Sequence, residues 1–152
     1  MKKIFAVILT VALLMSLSVT AFAANTTGGK ADITTSIAPT YTVTIPADVN
    51  VQFNATETAF GTIEVTASQI HPDKCIKVAL ATDNELNNAI DNTKVIPYAV
   101  KDSEGAAFTS ATYLTEGDKT ELSIHITEDD WNAAYAGEYS DTVTFTITYE
   151  DK

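Results

Sequence analysis

The chain has 152 residues, 45% of them hydrophobic and 19% charged, with nine basic residues against 20 acidic ones and a net charge of −11. That length supports one modest domain, and the regular recurrence of apolar residues argues for a packed core rather than a disordered acidic tail. Every basic residue is a lysine; so acidic a balance repels nucleic acid and anionic lipid and leaves cations and neutral partners.

The first element in chain order is a processing signal. Lys2 and Lys3 precede the apolar run Ile4–Met15, and a polar stretch then closes on Ala21, Phe22 and Ala23, whose small residues at −3 and −1 suit a signal peptidase. Residues 1–23 are therefore expected to be a signal peptide cleaved after Ala23. The run is too short to remain as a membrane span, so the exported chain should not be inserted in a membrane. Losing Lys2 and Lys3 would leave about −13 charges. Residues 24–30 read as a flexible leader around Gly28 and Gly29, and residues 31–152 as the folded domain. The short, lysine-led signal looks bacterial. The chain ends in Tyr149–Lys152 without a hydrophobic tail or sorting motif, so the expected product is secreted, or held at a cell surface by protein contacts.

From Asp32 onward the period is two. Tyr41, Val43 and Ile45 alternate with threonines; Ile63 with Val65, and Ile76 with Val78 and Leu80, share parities. Ile96, Tyr98 and Val100 form a further run, Leu122, Ile124 and Ile126 another, and Val143, Phe145, Ile147 and Tyr149 alternate with Thr142, Thr144, Thr146 and Thr148. One parity of each run should face inward. The predicted core is Val43, Ile45, Ile63, Val65, Ile76, Val78, Leu80, Leu122, Ile124, Ile126, Val143, Phe145 and Ile147. Turn signals separate the runs at His71–Asp73, Asp83–Asn84, Ser103–Gly105, Glu116–Asp118 and Ala136–Gly137. Seven or eight short strands, with no helix long enough for a parallel crossover, predict an all-β, immunoglobulin-like antiparallel β-sandwich. Pro97 places its strand at an edge, because proline donates no ladder hydrogen bond. Two stretches could be short helical turns, residues 83–90 and 128–135, the second opening with Thr127 as N-cap before Glu128, Asp129 and Asp130.

Chemistry is sparse. A small enzyme should show a nucleophile with its base or a set of metal ligands, and the pattern supplies neither, so a non-enzyme is expected with no catalytic residue, cofactor or resident metal. His71 lies in a turn and His125 on the face opposite Leu122 and Ile124, both readable as surface imidazoles. Cys75 is unpaired and reads as a small apolar residue, with a cross-link to a partner the alternative. Structural Ca²⁺ is the one ion to consider, on oxygens of Asp83, Asn84 and Glu85 or of Glu128, Asp129 and Asp130, although the latter already serve a helix start. Trp131 is the only tryptophan. With Tyr135 and Tyr139 it could form an aromatic sugar-binding site; alternatively Trp131 and Tyr135 plug the end of the fold, and Tyr139 ties a corner through its hydroxyl.

The stretch Ala136–Tyr149, with Gly137, Tyr139 and Asp141 opening an alternating Thr/Val strand, resembles the closing strand of bacterial surface and pilus-type sandwiches, including spore coat U-like domains. Tyr41–Pro46 and Gly61–Val65 are similar to segments of small exported proteins of Gram-positive bacteria. The resemblance implies an extracellular structural or adhesive role carried by surfaces, with other surface proteins or further copies of the chain joined at sheet edges, or glycans, as partners. A carbohydrate-binding module using Trp131 and the nearby tyrosines is the alternative.

Overall fold

The computed structural model of the chain describes residues 9–10 and 30–152. The expected signal peptide and leader lie outside the described residues, apart from Leu9–Thr10 and Lys30. Every strand pairing is antiparallel. Strand β1 (Leu9–Thr10) pairs with β2 (Thr40–Thr44), followed by β3 (Glu57–Gln69), β4 (Lys74–Ala81), β5 (Glu85–Asn88), β6 (Val95–Pro97), β7 (Ala99–Asp102), β8 (Ser110–Tyr113) and β9 (Lys119–His125). Helix α1 (Glu128–Ala133), β10 (Tyr139–Ser140) and β11 (Thr144–Asp151) complete the chain. Three sheets result, in the orders β1-β2-β3-β9-β7, β10-β5-β6 and β11-β4-β8. No helix among the described residues is long and apolar enough to cross a membrane.

One core joins the sheets. Ile63 and Val65 of β3, Ile76 and Val78 of β4 and Ile126 after β9 are essentially inaccessible, with Val43, Leu122, Ile124, Ile96, Val100, Phe108 and Tyr113 buried around them. The two-residue alternation produces this directly, since a pleated strand can turn only one parity inward. Five of the residues expected to be buried are only partly so: Ile45, Leu80, Val143, Phe145 and Ile147, the last four packed against the core from its margin. For Val143, Phe145 and Ile147 the cause is topology, because β11 is the edge strand of its sheet and nothing among the described residues continues the sheet beyond it.

Two local expectations are corrected. Residues 83–90 do not form a helical turn: Glu85–Asn88 is β5, paired on one side with β6 and on the other with β10. Asn88 is buried there, and its Oδ1 accepts the N–H groups of Ile90 and Asp91, so its side chain completes a turn that a helix would not contain. Gly137 (φ +154°) passes so close that an added Cβ would lie 2.5 Å from Asn88 Nδ2, which requires glycine on both conformational and steric grounds. The run Ile96–Val100 is also not one strand. Its first half is β6, whose Pro97 sits at a sheet edge opposite Glu85 as expected, and its second half is β7, paired with β9 in the five-stranded sheet. The chain changes sheets at Tyr98, whose ring is buried between them. Helix α1 starts as predicted but ends at Ala133, short of residue 135: Thr127 accepts the Asp130 N–H and three carboxylates occupy the first turn, favourable near the positive end of the helix.

Candidate functional site

The three aromatic residues singled out in the sequence converge. Trp131 lies on α1, Tyr139 on β10, and Tyr135 on the turn between them, and all three line an open groove of about 1000 Å³. Phe53 and Val49, from the loop between β2 and β3, supply the opposite wall. No local pattern marks Phe53, a lone aromatic between Gln52 and Asn54 outside any alternating run. It is 76% exposed.

Within the groove the aromatic rings are differently engaged. The Trp131 indole N–H donates to the Ala55 carbonyl at 2.9 Å, and Phe53 meets its ring edge-on at 5.6 Å between centroids. Its ring is half-buried and packs against the core, so Trp131 plugs the end of the fold as one of the two alternatives required. Tyr135 does not join that plug. The helix ends at Ala133, before Tyr135 can lie one turn beyond Trp131, and the Tyr135 side is 62% exposed with the Lys94 ammonium 4.9 Å from the ring centroid. Tyr139 ties the corner: its hydroxyl accepts the Tyr135 N–H and donates to the Tyr135 carbonyl. The groove therefore presents one braced tryptophan edge and two outward rings, Phe53 and Tyr135, and its polar rim includes Asn132 and Glu138.

A second hollow of about 580 Å³ opens between β2 and β11, where Ile45, Phe60, Val143 and Phe145 face one another. Phe60 and Phe145 lie 6.0 Å apart across it, and Tyr41 and Tyr149, outside its lining, lie 5.8 Å apart. Its polar corner is a closed cluster in which the Tyr98 hydroxyl donates to Asp141 at 2.5 Å and Thr82 donates to the same carboxylate oxygen at 3.1 Å. Burial, and then the hydrogen bond to the Asp141 carboxylate, raise the Tyr98 phenol well above its ordinary range. That phenol keeps its proton and shares it with the Asp141 carboxylate, clasping the corner of the hollow.

The remaining candidates stay apart. His71 is exposed in its turn, 3.7 Å from Asp73, and His125 lies on the partly exposed face of β9 opposite Glu57. Cys75 is buried, its thiol directed at the carbonyls of Glu150 and Asp151 at 3.7 Å. In the two acidic segments considered for Ca²⁺, the Asp83 carboxylate accepts the Glu85 N–H, and the Asp130 carboxylate accepts the Thr127 hydroxyl, whose oxygen in turn accepts the Asp130 N–H. Among the described residues no three His, Cys, Asp or Glu side chains are grouped to hold a metal ion. No protein-family model, curated protein or solved structure matches the chain.

Proposed function

We propose that the chain is an exported bacterial protein whose immunoglobulin-like β-sandwich acts by contact, in a structural or adhesive role outside the cell or at its surface, and catalyses no reaction. The sandwich reading draws support from the Phe60–Phe145 and Tyr41–Tyr149 pairs, which join the five-stranded sheet to the β11 sheet. The observation that carries the functional reading is the state of Trp131. Its N–H is spent on Ala55 and its ring is braced by Phe53, so the most distinctive side chain serves the fold, while each sheet ends in strands paired on one side only among the described residues. Sheet edges offer backbone donors and acceptors that another chain can take up. The acidic surface sets a condition: copies repel one another, so NaCl or Ca²⁺ should strengthen association by screening.

The test follows molar mass by light scattering against protein, NaCl and Ca²⁺ concentration, with N-terminal sequencing of exported material expected to begin at Ala24 or within a residue or two. Turnover of any substrate would refute the reading. A second reading, a neutral-carbohydrate module, is favoured by the convergence of Phe53, Trp131 and Tyr135 on one groove. A glycan array separates the two: a strictly monomeric protein whose binding to a defined sugar is lost in Tyr135→Ala would replace the adhesive assembly with a lectin-like one.

A further inference from the structure

We infer that the outer edge of β11 is a self-association surface, on which a second copy of the chain adds its own β11 antiparallel about a two-fold axis at Ile147. This inference rests on the assembly reading above and specifies its surface and its partner.

The edges of this fold are unequal. β1 is two residues long, and β2, the edge of that sheet once residues 1–23 are removed, is five with a register shift against β3 between Thr42 and Val43; β6 is three and carries Pro97, β7 is four and carries Lys101 and Asp102, β8 is four and β10 two. Short length, proline and charge are the usual guards against edge-to-edge pairing. β11 is eight residues long, and from Thr142 to Tyr149 it has no charge, no proline and no glycine. Its pairing with β4 runs without a register shift through all eight residues, so no bulge twists the edge away. Among the described residues no strand pairs with its other side.

The unpaired backbone groups can be assigned. Leu80 of β4 donates its N–H to Thr109, away from β11, and the Lys152 N–H donates to Asp73 on the β4 side. Since successive residues of an antiparallel strand direct their N–H and C=O groups to opposite sides, Thr144, Thr146, Thr148 and Glu150 bond β4. Phe145, Ile147, Tyr149 and Asp151 direct theirs outward.

Charge favours this edge for contact between copies and disfavours one competing register. On a chain of net charge −11, contact between copies is least opposed where carboxylates are absent or compensated. The two at the end of β11 are compensated by β4: Lys74 lies 2.6 Å from Asp151 and Lys77 3.3 Å from Glu150. A two-fold axis at Ile147 sets Phe145 opposite the partner's Tyr149 and Asp151 opposite the partner's Val143. Moving the axis to Thr146 would set Asp151 against the partner's Asp141, a like-charge pair. The axis at Ile147 also aligns the outward-directed residues of both strands, so their free N–H and C=O groups meet, and it extends cover over the half-buried Phe145, Ile147 and Tyr149.

The experiment measures the dimer dissociation constant of the full chain by sedimentation equilibrium, alongside Thr146→Lys/Thr148→Lys, which sets lysines against lysines across the axis, and Ser110→Lys/Thr112→Lys on the β8 edge as a charge-matched control. Both pairs lower the net negative charge equally, so general screening favours association in both. The inference expects at least a tenfold weaker dimer for the β11 pair and none for the β8 pair. In parallel, Ile147→Cys in a Cys75→Ala background should form a covalent dimer under mild oxidation, because opposed hydrogen-bonded residues lie about 5.5 Å apart at Cα, within disulfide reach, whereas Thr112→Cys should not. A dimer indifferent to the β11 lysines and not trapped through position 147 overturns this surface and leaves assembly through another edge standing. A chain that stays monomeric at every protein and salt concentration overturns both.

Discussion

Strands β3 and β11 are written in the same alternating script, yet they live in different surroundings. Ile63 and Val65 of β3 are sealed from solvent, while Phe145 and Ile147 of β11 remain half-exposed. β3 is flanked by β2 and β9, and β11 by β4 alone. Alternation reports which face of a strand turns inward; the number of neighbours decides how deep that face lies. A ring at the margin loses part of its burial, and with it part of the free energy that scales with apolar area removed from water.

Mutation should expose this contrast. Ile63→Ala should be the most damaging single truncation, about 2–5 kcal/mol in urea unfolding, since it leaves a cavity among fully packed neighbours. Phe145→Ala should cost about half of the 3–5 kcal/mol typical of a buried phenylalanine, because its ring is partly solvated already and the hollow beside it can relax. Equal costs at the two sites would break the contrast and place β11 in the interior.

A smaller effect probes the joint between the regions, the turn from β8 to β9. Asp118 accepts the N–H groups of Leu114 and Thr115 and the Thr115 hydroxyl, and these bonds hold its carboxyl below the ordinary 3.8. A depressed folded value means that the carboxylate stabilises the fold above the ordinary range and that this contribution is lost as pH falls through the folded value. Asp118→Asn should cost about 0.5–1 kcal/mol at neutral pH, given how exposed the group is. The gap between the two proteins should close in acid, as paired unfolding curves from pH 7 to pH 2 would show; a gap that widens in acid would reverse the assignment. Smallest of all, Thr144→Ala on the exposed face of β11 should stay within about 0.5 kcal/mol of the parent by the same unfolding assay.

The two regions also show what could be read in advance. Strand faces were legible because period two is a property of the backbone. Depth was not, since the neighbours of β11 are set by residues some 70 positions earlier. β5 escaped notice because Glu85, Asn87 and Asn88 have turn and helix-start chemistry, and what makes them a strand is tertiary: Asn88 is buried against Gly137. At the aromatic groove, proximity in sequence brought Trp131, Tyr135 and Tyr139 to notice, and the Tyr139 tie followed from its place after a glycine. The Phe53 wall and the Tyr98–Asp141–Thr82 cluster depend on long-range approach that no local pattern encodes.

The seam between β2 and β11 has a mechanical consequence. Tyr41 meets Tyr149 at one end of it, and Ile45 and Phe145 share the hollow further along, so the chain enters at Thr40 and leaves at Asp151 from the same end of the domain. Tension applied through those two ends would open the ladders bond by bond, beginning at the Thr40–Gln69 and Asp151–Lys74 pairs, instead of loading all rungs together in shear. Such a domain makes a weak link in a chain pulled end to end, and any force it bears is better carried sideways, through contacts on its flanks.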